Sequence, residues 1–193
     1  MAQYNGYVPI AHNTYDAWRQ ATLFNGFNVD FYAGNQCFDL AALLWWQYGL
    51  NLVTKAGGGG AADCWLVSKD VNAKTPFILV YDVHDIKRGD VLVWNRSASS
   101  STGHIGFADE DYHGNTINVL NQLPSRYGIN GTTHIDAWNL TTFLGAFRNT
   151  LWQGTPPEPP TPTGWYNKGK YNFVLFNRRK RQEKWTRKPL NKR

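Results

Sequence analysis

The sequence predicts an α+β domain: N-terminal helices packed on an antiparallel β-sheet, followed by a Pro-rich linker and a basic tail. Three observations carry this reading. The apolar run Leu40-Ala-Ala-Leu-Leu-Trp-Trp46 has helical character and closes at Tyr48-Gly49, where a glycine suits a helix C-terminus. Beyond Pro76, short β-branched and aromatic runs alternate with turn signals, and helices followed by a strand meander is the order of an α+β fold. At Thr155-Pro-Pro-Glu-Pro-Pro-Thr-Pro-Thr-Gly164 the composition changes abruptly to that of an extended, semi-rigid spacer.

In order along the chain, residues 1–36 form a polar, aromatic region ahead of the first helix. Ala56-Gly-Gly-Gly-Gly60 marks a flexible loop or a helix stop. Asp63 to Val71 reads as a second helix carrying Cys64 and Trp65. Phe77-Ile-Leu-Val-Tyr81 reads as a strand, and the turn Asp85-Ile-Lys-Arg-Gly-Asp90 feeds a second strand, Val91-Leu-Val-Trp94. After the loop Ser97 to Thr102, strands His104-Ile-Gly-Phe-Ala108 and Thr116-Ile-Asn-Val-Leu-Asn121 flank Asp109 to Asn115. No internal repeat is visible. The expected division is a folded domain over 1–153, a linker over 154–164 and a tail over 165–193.

Charge follows the same division. Residues 1–164 carry nine Lys/Arg against thirteen Asp/Glu, whereas residues 165–193 carry eleven against one, so the overall +6 belongs to the tail. Trp165, Tyr166, Tyr171, Phe173, Phe176 and Trp185 are interleaved with those cations. Such a segment suits a polyanionic polymer, nucleic acid or an anionic membrane surface, and also a solvated extension. No stretch has the apolar length of a membrane span, and Met-Ala-Gln-Tyr-Asn-Gly-Tyr at the start has neither a basic nor an apolar signal region. Two cysteines make no disulfide framework, although one Cys37–Cys64 bridge is compatible with the sequence.

The chemistry centres on Cys37. A thiol on the first turn of a helix faces unpaired N–H groups and the positive end of the helix dipole, both of which favour the nucleophilic thiolate. A lone cysteine is more often a small buried hydrophobe, which is the expectation for Cys64. His104 and Asn121 decide between the two for Cys37. Folding the hairpin about Tyr112-His113 places them roughly opposite each other, so that the amide oxygen of Asn121 accepts from one ring nitrogen and the other faces a partner. Cysteine, histidine and an orienting polar residue make a nucleophile, base and orienter. His12, His84, His113 and His134 have no partners at ligand spacing, which argues against a zinc hydrolase. Gly57 to Gly60 lacks the Gly-Lys-Ser/Thr ending of a phosphate loop.

Four motifs, Gln36-Cys37-x-Asp39-Leu40, Lys87-x-Gly89-Asp90-Val91-x-Val93-Trp94, Gly103-His104-Ile105-Gly106 and Leu120-Asn121-Gln122, together resemble the CHAP domain. That family is a papain-like cysteine peptidase or amidase module of phage and bacterial peptidoglycan hydrolases, including endolysins. The resemblance implies Cys37 as nucleophile, His104 as general base, Asn121 as orienter, and the Cys37 N–H with Gln36 as oxyanion donors. Many relatives have a second Asn where this chain has Leu123.

Just before the cysteine, Asn28, Asp30, Tyr32, Gly34 and Asp39 fall at positions 1, 3, 5, 7 and 12 of a twelve-residue window, the ligand spacing of an EF-hand-type Ca2+ loop. Some phage relatives resemble this with Asp-x-Asp-x-Tyr ahead of the cysteine. Here Asn28 replaces the first carboxylate, and Tyr32 and Gly34 offer backbone carbonyls only. The alternative role for Asp39 is a carboxylate at the helix N-terminus.

The expectation is a papain-like α+β enzyme that cuts an amide bond of peptidoglycan, as an endopeptidase or an N-acetylmuramoyl-L-alanine amidase, with Ca2+ and no organic cofactor. Its partners are peptidoglycan and, through residues 165–193, anionic wall polymers. It would be made in the phage-infected bacterial cytoplasm to act on the wall, or be carried in the virion. Two other classes compete: a virion tail protein using the domain for wall docking, and an anion- or nucleic-acid-binding protein acting through its tail.

Overall fold

The computed structural model describes residues 3–4, 12–30, 34–55, 59–97, 100–123 and 131–152. The linker and tail expected over 154–193, Tyr32, and residues 56–58 of the glycine run lie outside the described residues.

A six-stranded antiparallel sheet is the frame. Its strands are β3 (Phe77–Val80), β4 (Val91–Trp94), β5 (His104–Ala108), β6 (Thr116–Gln122), β7 (Thr133–Asn139) and β8 (Phe143–Asn149), in the order β3-β8-β4-β5-β6-β7. A two-stranded pair, β1 (Gln3–Tyr4) and β2 (Gly26–Phe27), stands apart from it. The helices are α1 (Tyr15–Thr22), α2 (Cys37–Gln47), and the short α3 (Asp63–Leu66) and α4 (Lys69–Asn72). No helix among the described residues is long and apolar enough to cross a membrane.

The four strands read from sequence form where expected, and helix α2 starts at Cys37 itself. Three expectations change. The single helix over Asp63–Val71 is broken at Val67-Ser68, where the Ser68 hydroxyl donates to Thr54 O (2.5 Å) and Ser68 leaves helical geometry (φ −123°, ψ 9°). The region before Cys37 contains α1, whose N-cap Thr14 accepts from the Ala17 N–H (3.2 Å) through Oγ1. Strands β7 and β8 complete the sheet. Strand β8 inserts between β3 and β4, where Arg148 donates to both carboxylate oxygens of buried Asp90 (2.9 and 2.8 Å).

The two faces of the sheet bury different things. Against one face α2 packs Leu40, Leu43, Leu44 and Trp45 onto Val91, Val93, Ile105, Phe107 and Leu120. Trp45 stacks on Phe77 at 3.9 Å and donates its indole N–H to Asn72 O (3.0 Å), so its polar tip is satisfied inside an apolar layer. The other face holds a smaller cluster of Ile86, Leu92, Trp94, Ile117, Val119 and Ala146.

Candidate active site

The start of α2 is fixed twice over. Gln36 is its N-cap in extended conformation, and the Asp39 carboxylate accepts the Gln36 N–H (2.7 Å), half of a capping box. The other Asp39 oxygen accepts from the Val29 N–H (2.9 Å) and the Asp30 N–H (3.4 Å), tying the preceding loop to the helix. Gln122, fully buried, makes the second fixing. Its Oε1 accepts from the Phe27 N–H (2.8 Å), and its Nε2 donates to Phe27 O (2.6 Å) and Gln36 O (2.8 Å). One side chain thus joins β6, β2 and the N-cap of α2. Gln122 stood inside a recognisable motif, and its inward direction follows from alternation with Asn121.

Cys37, placed this way, lines a cleft of about 610 Å³ together with Gln36, His104, Trp94, Trp138 and Leu123. The backbone N–H groups of Ile105 and Phe38 face its sulfur and favour the thiolate, but burial outweighs them and the thiol is pushed up to about 11. The expected activation by the helix start is therefore present and is outweighed by desolvation. Cys37 and Cys64 are both free, so the bridge left open by the sequence is not formed, and burial also pushes the Cys64 thiol up.

His104 begins β5 and is buried. Burial, with a smaller contribution from His134, lowers its imidazole to about 3, so it is neutral at ordinary pH. Its ring stacks on Trp138 at 3.8 Å with an interplanar angle of 5°, and Trp94 closes its surroundings at 5.6 Å. The cleft thus holds a neutral thiol and a neutral imidazole.

Asn121 is not opposite His104. Strand β5 pairs with β6 at Phe107↔Leu120 and Ala108↔Val119, which carries Asn121 to the position across from Gly106. A Cβ on Gly106 would lie 3.1 Å from the Asn121 Cβ, consistent with that placement. His104 pairs with Trp94 instead. Asn121 and His104 are therefore diagonal neighbours on the same face, still within reach of each other's side chains. The amide Nδ2 of Asn121 donates to Val119 O (3.1 Å) and to Asp136 Oδ1 (2.6 Å). Asn121 Oδ1 and His104 Nε2 are both buried without a hydrogen-bond partner. Trp138 and Asp136 belong to β7, and no motif in the sequence pointed to them.

Of the five residues at calcium-loop spacing, Asn28 Oδ1 is buried without a partner and Asp39 is a fully buried carboxylate. Burial raises Asp39 to about 7 against its backbone N–H contacts, and the nearby Asp30 charge adds to the rise. Gly34 has φ +73°, a turn conformation that suits glycine. A buried amide oxygen without a partner and a carboxylate raised by burial and by a neighbouring charge are oxygen groups of the kind a hard cation takes.

Neither a protein-family model nor a curated protein matches the chain. Among solved structures it is similar to "a wild type endolysin LysIME-EF1", with a TM-score of 0.51 and 20% identity over 75% of this chain and 64% of that one. A second match, Ly7917, has a TM-score of 0.45 and 13% identity over 68% and 60% of the two chains. The fold is endolysin-like. The chain spans about 64% of the length of that endolysin.

Proposed function

We propose that this protein is a peptidoglycan hydrolase of the phage lysin kind, a papain-like cysteine enzyme of the CHAP type that cuts an amide bond in the peptide moiety of the bacterial wall. The observation that carries the reading is the meeting of Cys37, at a helix start, and His104, at a strand start, in one cleft of an endolysin-like fold. In this reading the Cys37 sulfur attacks the amide carbonyl carbon while His104 takes the thiol proton and passes it to the leaving amine. Water then hydrolyses the thioester and restores the thiol. The Cys37 backbone N–H and Gln36 receive the developing oxyanion. Complementary unpartnered atoms, an imidazole nitrogen on His104 and an amide oxygen on Asn121, support Asn121 as the orienter.

Zymography on purified cell walls tests it. Clearing is expected to fall by about a thousandfold or more in Cys37→Ala and to persist in Cys64→Ala. Clearing by Cys37→Ala at the wild-type rate overturns the mechanism. Mass spectrometry of the released fragments distinguishes a cut within the stem or cross-bridge peptide from a cut at the sugar–alanine amide.

We propose also that Asn28, Asp30, Tyr32, Gly34 and Asp39 hold Ca2+, which would stiffen the loop that Asp39 ties to α2. Chelation is expected to lower the melting temperature by several degrees, reversibly on adding Ca2+. An unchanged melting temperature, with no metal found by elemental analysis, rules the site out. The basic segment 165–193 is proposed to hold the enzyme at anionic wall polymers, and its removal is expected to weaken binding to walls more at low than at high salt.

A further inference from the structure

Asn121 can orient His104 only if its amide is the right way round, and an amide has a donor end and an acceptor end of nearly the same shape. Two neighbours decide which end faces where. Val119 O and Asp136 Oδ1, at 3.1 and 2.6 Å, are both acceptors, so the NH2 group must face them. The carbonyl oxygen is then turned away from them, as the buried and unpartnered Oδ1. The carbonyl of Val119 lies two residues away on the same strand and is present whatever the side chains are. Asp136, across the sheet at the position paired with Val119, is supplied by sequence.

The same oxygen does a second thing. Asp136 Oδ1 also accepts from the Trp138 indole N–H (2.8 Å), and that indole is the plate lying parallel to His104 at 3.8 Å. One carboxylate oxygen therefore fixes both the amide beside the imidazole and the ring stacked on it. The second oxygen, Oδ2, lies 3.7 Å from His134 Nε2, and the Asp136 side chain is 44% exposed. Gly106 completes the arrangement. A Cβ there would lie 2.6 Å from Val119 Cγ1 as well as against Asn121, and its absence leaves the space between β5 and β6 open.

We propose that Asp136 is the positioning residue of this site, acting through Asn121 and Trp138 to hold His104 for proton transfer with Cys37. This rests on the Cys37–His104 reading above. The requirement is an acceptor oxygen at this point, not a charge. Asp136→Asn keeps an oxygen able to receive both bonds, whereas Asp136→Ala leaves the Trp138 N–H without an acceptor and the Asn121 NH2 with the Val119 carbonyl alone. Loss of positioning by a fraction of an ångström to one ångström costs up to about a hundredfold in rate.

The test measures alkylation of Cys37 by iodoacetamide at pH 7 in a Cys64→Ala background, which needs no substrate. It is run beside the kcat and KM of wall solubilisation. His104→Ala gives the rate without the base. Asp136→Ala is expected to slow alkylation about tenfold or more, towards the His104→Ala rate, with Asp136→Asn within about twofold of wild type. The same order is expected in kcat with KM unchanged. Should Asp136→Ala not fold, as judged by circular dichroism, Asp136→Val, which also has no acceptor, takes its place. Alkylation of Asp136→Ala at the wild-type rate overturns the proposal, as does an Asp136→Asn variant as slow as Asp136→Ala. If the protein alkylates in a His104-dependent way but leaves walls intact, the wall-hydrolase reading fails while the positioning role of Asp136 is still decided.

Discussion

The two faces of the six-stranded sheet follow different rules. The α2 face is mostly apolar; Trp45 Nε1 and the Gln122 amide have partners there, whereas Trp18 Nε1 and the Gln47 amide do not. The opposite face carries His104, Asn121, Asp136 and Trp138, with two buried polar atoms left without partners. Buried orphans are costly in a structure whose only task is stability. On the opposite face the two orphans are an imidazole nitrogen and an amide oxygen at diagonal positions, the pair that the proposed proton transfer would use. Cys37 comes from the first and His104 from the second, and they meet in the cleft where α2 and β5 begin.

Truncation on the helix face is the strongest way to break this comparison. Trp45→Ala removes a fully buried ring stacked on Phe77, and a loss of about 3–5 kcal/mol in urea unfolding is expected. Per folded molecule, the Cys37 alkylation rate should stay close to wild type. A large drop in that rate would mean that the two faces are not separable.

A pH series sharpens the other face. The folded protein holds the His104 imidazole at about 3, whereas an unfolded histidine titrates near 6.5, so the unfolded chain binds the extra proton first. The contribution of His104 to stability is complete above about pH 6.5 and is lost as the pH falls from there towards 3. His104→Gln should therefore show a shallower decline than wild type over this range, the two curves differing in slope by an amount that sums to a few kcal/mol. Parallel curves in urea unfolding at pH 7, 5 and 4 would remove burial as the reason for the neutral imidazole.

The smallest effect is expected from Gln122, which sits on the helix face yet serves the site. Gln122→Leu deletes its three hydrogen bonds to the Phe27 backbone and the Gln36 carbonyl, a loss of about 1–3 kcal/mol. Cys37 alkylation should slow severalfold because the N-cap of α2 is less firmly held. An unchanged rate would show that the Asp39 capping bond alone positions the thiol.

The sequence by itself determined the features that depend on a few neighbouring residues. The start of α2 at Cys37 follows from Gln36 and Asp39 three residues apart, and the strands through His104 and Asn121 follow from alternating apolar residues bounded by glycine and polar turns. Helix α1 had its cap at Thr14 but was hidden among aromatics. The tertiary structure alone decided three things. Register placed Asn121 across from Gly106, because strand offset is set by packing over the whole sheet and by the turn, not by counting to its midpoint. Strand β7 brought Asp136 and Trp138 beside residues fifteen and more positions away in sequence. Burial also reversed the sign of the thiol shift, since desolvation depends on everything packed around Cys37, whereas the helix N-terminus that favours the thiolate is local.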